Sequence, residues 1–253
     1  MKKLLFGLSG IFVLCCSFFL YSSYKPTFKP EQFNAMANNP ELFHQCSEQL
    51  TNVIVYDIFK PPVASRIYSC SYLAAYEAIR QENASYPTMA GRINQFRAVP
   101  LPEKDTQYCF VLAGMVAFNR VGEKLTFSKD LWDNFNKGFY DKFKLMGIPD
   151  AVYQRSVEYG EAVAKHVLAY AQTDHYNQTR RIKFSVVNKP GSWVPTPPTY
   201  ADACEPAWNT IRHFLIDSAS QFKPVPCAKY DLDHGSKYYQ LLKEVYDLIE
   251  IGV

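Results

Sequence analysis

Residues 107–125 are apolar on nearly every side of the helix that their spacing predicts. A helix without a polar face has to be covered by other elements all round, so it is expected at the centre of a larger helical body. Residues 150–172 also follow helical spacing, and their polar side chains fall on one narrow stripe: Arg155, Glu158, Glu161, Lys165 and Gln172. Most of this second helix is therefore predicted to be buried, which is typical of a helical bundle.

Prolines divide the chain into a helical part and an irregular part. Further helices are predicted from Glu41 to the pair Pro61 and Pro62, from 64 to 82, and after Ser128, while Asp150 is the predicted N-cap of the helix over 150–172. Beyond residue 173 the prolines are too dense for long helices: Pro190, Pro195, Pro197, Pro198, Pro206, Pro224 and Pro226. The sequence predicts an all-α fold with a helical bundle over 41–174. A proline-rich wrapping segment and a terminal helix, from about 236 to 251, are expected within 175–253.

The amino-terminal segment has the pattern of an export signal. Lys2 and Lys3 precede an uncharged apolar run from 4 to 20. We expect a signal peptide or a membrane or lipid anchor over 1–23, then a linker over 24–40. Cys15 and Cys16 end the apolar run and keep a lipoprotein anchor open as an alternative. The mature protein is expected in the periplasm or tethered at the envelope, with no other membrane contact.

Charge and cysteine usage exclude several kinds of site. The 253 residues carry a net charge of only +3 and no basic run, which argues against nucleic acid as a partner. No two cysteines have C-x-x-C spacing, so a zinc ribbon is not expected. Cys46, Cys70 and Cys109 lie in apolar helical patterns and are interpreted as core residues. A disulfide between Cys204 and Cys227 remains open.

Motifs for nucleotides and metals are missing. The chain has no G-x-G-x-x-G, G-x-x-x-x-G-K or H-E-x-x-H, and no two of its five histidines are spaced i,i+4. His166, among alanine and valine, is interpreted as a core or boundary residue. The residues kept as candidates for a pocket or an interface lie after the bundle: His175, Arg180, Trp193, Pro195, Thr196, Pro197, Trp208 and Arg212.

Three stretches resemble one known family. They are Asp57–Tyr68 (DIFKPPVASRIY), Tyr159–Arg180 with its YGEAVA and TDHY strings, and Gly191–Tyr200 (GSWVPTPPTY) followed by Pro206, Trp208 and Arg212. Together with Ser236, Tyr238 and Tyr246, this order resembles the bacterial vanadium-dependent haloperoxidase-like proteins of the type 2 phosphatidic acid phosphatase superfamily. The resemblance covers nearly all of the chain after the leader and implies two helical bundles packed together, the second of which holds vanadate or phosphate.

The residues that hold the oxyanion in that family are missing from this chain. They are a lysine followed by Arg-Pro, a Ser-Gly-His, and a later arginine with a histidine several residues on, and none occurs here. We therefore expect the non-catalytic amino-terminal half, with no catalytic, metal or cofactor residues of its own. Its partner would be the missing catalytic bundle or a separate chain that supplies it. Two alternatives stay open: a stand-alone helical binding module at the envelope, and an unrelated hydrolase that uses Asp174, His175 and Arg180.

A missing second bundle would leave apolar side chains exposed after Thr173. The residues that test this expectation are Trp193, Trp208, Tyr239 and Leu242. If all four are buried within this chain, the interpretation as half a protein loses its physical support.

Overall fold

The computed structural model describes residues 30–252, and these are helical wherever they are regular. The helices are α1 (Pro30–Ala37), α2 (Pro40–Tyr56), α3 (Pro61–Ile79), α4 (Phe110–Leu125), α5 (Lys129–Leu145), α6 (Asp150–Gln172), α7 (Tyr176–Thr179) and α8 (Lys237–Ile251). Two 3-10 turns, Arg80–Glu82 and Trp208–Thr210, complete the set. No β-strand occurs over residues 30–252, so the predicted all-α class is confirmed.

The chain divides after Thr173 into two compact units. In the first unit α4 packs against α3 and α6 and lies at the centre, as its apolar sequence predicts. Two glycines allow this close packing. Gly114 lies against the side chain of Ile79, and Gly160 of α6 lies against the backbone of Ala113 in α4.

The helix ends differ from their prediction at two places. Pro61 and Pro62 stand at the start of α3 rather than merely ending α2, which suits a residue without an amide hydrogen. Pro149 is the N-cap of α6, so the prediction of Asp150 as the cap was wrong, and Asp150 lies in the first turn. Ser128 does precede α5, but its hydroxyl donates to Asp57, whose carboxylate also accepts from the amide of Phe127 at 2.7 Å.

A long loop between α3 and α4 is held to the first unit by side chains from the helices. The hydroxyl of Tyr159 donates to the carbonyl of Pro100 at 3.0 Å, and the hydroxyl of Tyr170 donates to the carbonyl of Asn94 at 3.0 Å. His166 Nε2 lies 3.0 Å from the carbonyl oxygen of Arg97. These bonds satisfy loop carbonyls that have no helical partner, and they confirm His166 as a structural residue at the boundary of the core.

The amino-terminal predictions are only partly within the described residues. The segment 1–23 lies outside them. Part of the stretch expected as a linker is helical, since α1 covers Pro30–Ala37 and buries Phe33 and Ala37. Within residues 30–252, none of the helices combines the length and the apolarity that a membrane crossing needs.

The second unit begins at Asp174 and is irregular apart from α7, one 3-10 turn and α8. Ser236 caps α8 by accepting a hydrogen bond from the amide of Tyr239 at 3.0 Å, yet no residue of α8 is buried. Trp193 is 50% exposed and Leu242 is 48% exposed. Trp208 and Tyr239 are each partly exposed. None of the four is buried, which is the exposure that the sequence predicts.

The cysteines separate into a buried and an exposed set. Cys46, Cys70 and Cys109 are buried, as predicted, while Cys204 and Cys227 are exposed and unpaired, so the structure contains no disulfide between them. Burial raises the pKa of the Cys46 thiol to about 12 and that of the Cys109 thiol to about 11.

We expect iodoacetamide at pH 8 to modify Cys204 and Cys227 in the folded protein and to spare Cys46 and Cys109. Only the thiolate reacts, and a pKa of about 12 instead of 9 lowers its fraction at this pH by about a thousandfold, apart from the steric protection. Peptide mass spectrometry of protein labelled with and without urea measures the difference. Equal labelling of Cys46 and Cys204 in the folded protein would contradict the structure.

Candidate functional site

The first group of candidate residues surrounds the short helix α7. His175 precedes the helix in a left-handed conformation, with φ of 71°, and its side chain is exposed. Asp174 is buried, and its Oδ1 accepts a hydrogen bond from the amide of Tyr176 at 2.9 Å. This local bond makes Asp174 a turn-forming residue.

Arg180 follows α7 and is held on two sides. Its guanidinium forms an ion pair with the buried carboxylate of Glu205. It also lies 4.8 Å from the ring centroid of Tyr176, which is within cation–π range. The sequence analysis did not single out Glu205, because a lone glutamate beside a proline carries no local signal of burial.

Trp208 and Arg212 join the same neighbourhood. Trp208 begins the second 3-10 turn, and its ring meets that of Tyr176 edge-on with centroids 6.4 Å apart. The backbone amide of Arg212 donates to the carbonyl of Asp174 at 3.0 Å. The fold therefore brings His175, Arg180, Trp208 and Arg212 together, although they are spread over residues 175–212.

This cluster does not fit a vanadate or phosphate group. An oxyanion site needs several cationic or amide donors that converge without a competing anion. Here the guanidinium of Arg180 already pairs with Glu205, so a bound oxyanion would lie beside a buried carboxylate. Over residues 30–252 there is also no group of three or more histidine, cysteine, aspartate or glutamate side chains placed to hold a metal ion.

The second group of candidates forms the wall of a separate open cavity of about 600 Å³. Trp193, Thr196 and Pro197 line it, and the ring of Trp193 meets that of Phe184 with centroids 5.8 Å apart. Pro195 is partly buried and is not among the residues around this cavity. The tryptophan–proline string that carries the family resemblance thus shapes a surface of the second unit, and it contributes no titratable group.

A larger cavity, of about 820 Å³, lies in the first unit, and the sequence analysis did not predict it. Its aromatic lining comes from α2, α3 and the loop after α3 and includes Phe43, Tyr72, Tyr76 and Tyr86. The sequence signal that could have indicated this cavity was the spacing of Tyr72 and Tyr76, which lie four residues apart and so share one face of α3.

Comparison with known proteins identifies a similar solved structure. No protein-family model and no curated protein matches the chain. A solved structure described as the first bacterial vanadium-dependent iodoperoxidase is 39% identical to it, with a TM-score of 0.79. The match covers 84% of this chain and 52% of that one, so the chain spans about half the length of its relative. The predicted resemblance to the vanadium-dependent haloperoxidase-like family is confirmed.

Proposed function

We propose that this chain is the non-catalytic half of an exported haloperoxidase-like or acid-phosphatase-like protein. The chain is similar to a vanadium-dependent iodoperoxidase over about half of that enzyme's length. The observation that carries the proposal is the partial match combined with the missing motifs. The 253 residues hold no Arg-Pro pair and no Ser-Gly-His. Alone, the chain has neither haloperoxidase nor phosphatase activity.

In this proposal vanadate or phosphate is bound by another helical bundle. That bundle is a further part of the same protein or a separate chain. The ion pair between Arg180 and Glu205 supports this assignment, because it neutralises Arg180, a candidate cation that also stacks on the ring of Tyr176. The positively charged start of the leader, Lys2 and Lys3 before the apolar run, supports export. Mass spectrometry that finds the intact leader on cytoplasmic protein would exclude export.

The partner bundle binds to the exposed apolar side of α8. Its apolar side chains recur at three- and four-residue steps and all remain accessible: Leu241, Leu242, Val245, Leu248 and Ile249. The charged side chains fall between them, and Lys243 and Asp247 form an i,i+4 ion pair at 2.7 Å. An amphipathic helix with no buried residue indicates a surface that another element covers.

Co-expression tests this function. The chain is produced with the part of the similar iodoperoxidase that it does not cover, and iodide oxidation is measured with vanadate and hydrogen peroxide. We expect no activity from the chain alone and a stable complex with the added part. Val245→Asp should weaken that complex at least about tenfold, because a carboxylate would be buried without a partner. Val245 is already exposed, so the substitution leaves folding intact.

Glu250→Ala is the matched control, since helical spacing places this exposed glutamate on the side of α8 that carries Lys243 and Asp247, away from Val245, and it should leave the complex unchanged. Any haloperoxidase or phosphatase activity of the isolated chain would contradict the proposal, and phosphatase activity that is lost in His175→Ala would favour the alternative of an unrelated hydrolase. A chain that binds no second bundle would favour the alternative of a stand-alone binding module at the envelope. The 820 Å³ cavity in the first unit is the observation that speaks for that alternative.

A further inference from the structure

The cavity in the first unit has rigid aromatic walls. The hydroxyl of Tyr72 donates to Ser47 Oγ at 3.0 Å, and the hydroxyl of Tyr76 donates to the carbonyl of Pro87 at 2.7 Å. The ring of Tyr72 also meets those of Phe43 and Phe118 edge-on, at centroid distances of 5.5 and 5.2 Å. Because both hydroxyls are hydrogen-bonded to other protein groups, Tyr72 and Tyr76 present the apolar surfaces of their rings to the cavity.

The loop after α3 completes the cavity with one more aromatic ring. The amide of Tyr86 donates to the carbonyl of Asn83 at 3.1 Å, and the carbonyl of Tyr86 accepts from Arg80 Nε at 3.1 Å. These bonds fix the backbone of Tyr86 while its ring stays 55% exposed at the mouth. Ile79 of α3 adds an aliphatic side chain, so the cavity has aliphatic and aromatic walls on several sides. Because the backbone of these walls is already held in place, a ligand does not have to order it on binding.

The charged groups near the cavity leave no excess of positive charge. Arg80 Nη1 lies 3.7 Å from Oε2 of Glu77, a carboxylate with no exposed surface. Glu82, also in the lining, brings a second carboxylate, and it is exposed to solvent. An anionic ligand would therefore lose hydration without meeting a surplus of positive charge.

We propose that this cavity binds a neutral, planar aromatic molecule of one or two fused rings. Pockets of about this volume, with mostly apolar and aromatic walls and a few polar groups, are the ones that hold small organic ligands. The ring of the ligand packs between Tyr72, Tyr76 and Ile79 and is covered by Tyr86. This site lies in the first unit, whereas Arg180 and α8, on which the proposed function relies for the oxyanion and the partner bundle, belong to the second.

Calorimetric titration of the full chain with 2-naphthol tests the site, with 2-naphthalenesulfonate as the anionic counterpart of the same ring system. We expect saturable binding of 2-naphthol at one site and weaker binding of the sulfonate. Tyr86→Ala should weaken 2-naphthol binding by about 2- to 12-fold, the range of one lost aromatic contact. Tyr86→Phe should bind like the unchanged chain, because it keeps the ring.

Tyr56→Ala is the matched control, since Tyr56 is an exposed tyrosine that does not line the cavity. Its affinity for 2-naphthol should equal that of the unchanged chain. Circular dichroism checks that each variant is folded. The proposal is overturned by the absence of saturable 2-naphthol binding, by equal affinities of Tyr86→Ala and Tyr56→Ala, or by a sulfonate that binds as tightly as 2-naphthol.

Discussion

Replacing Glu77 by alanine should lower the free energy of unfolding by about 3–5 kcal/mol. Glu77 has no exposed surface, and its carboxylate accepts hydrogen bonds from the hydroxyl of Thr88 at 3.0 Å and from the amide of Met89 at 2.5 Å. It also faces the guanidinium of Arg80 at 3.7 Å. Alanine would leave these donors without their acceptor and release the start of the loop between α3 and α4. Urea unfolding followed by circular dichroism measures the change.

Glu158→Ala is the control for this substitution. Glu158 is an exposed helical glutamate, and its one hydrogen bond joins it to Gln154 on the same helix, at 3.1 Å. Its removal should change the free energy of unfolding by less than about 0.5 kcal/mol. Hydrogen exchange adds a local measurement, because the amide of Met89 should lose protection in Glu77→Ala only. Equal losses of stability for the two variants would show that Glu77 does not anchor the loop.

Gly160→Ala is expected to destabilise the first unit by about 2–3 kcal/mol. A Cβ at this position would lie 2.4 Å from the carbonyl oxygen of Ala113 and 2.8 Å from Cβ of Val116. The nearer atom belongs to the backbone of α4, so no side-chain rotation relieves the overlap and the two helices have to separate. The gain in helix propensity of alanine over glycine, about 1 kcal/mol, is smaller than this cost.

Gly138→Ala gives the opposite sign and serves as the matched control. Gly138 lies within α5, and a Cβ there would have no atom within 4 Å. The substitution should therefore raise the free energy of unfolding by about 0.5–1 kcal/mol, because alanine loses less conformational freedom in a helix. The urea midpoints of the two variants are compared with that of the unchanged chain. A stabilising effect of Gly160→Ala would mean that α4 and α6 are not as close as the structure has them.

Local patterns were sufficient to predict the long helices after residue 40 and the position of the central one, although α1 lies in a stretch that was expected to be a linker. The apolar spacing of residues 107–125 predicts a helix that is buried on nearly every side, and 12 of the 16 residues of α4 (Phe110–Leu125) are buried. The proline density after residue 173 predicts the irregular segment, since proline lacks the amide hydrogen that a helix requires. The final helix was predicted from about residue 236 to 251, and α8 covers Lys237–Ile251. These features depend on residues that are close together in the chain.

Contacts between distant residues could not be predicted in the same way. Glu77 sits on a helix, where glutamate is normally solvated, and only the folded loop brings Thr88 and Met89 to it. Arg180 and Glu205 are 25 positions apart, and only the tertiary structure pairs them and so removes the arginine as an oxyanion ligand. The sequence by itself determined the helical class, the central helix and the missing catalytic motifs. Only the tertiary structure determines that Glu77 anchors the loop, that Arg180 pairs with Glu205 and that the first unit contains an aromatic cavity. Each of these features depends on side chains that only packing brings together.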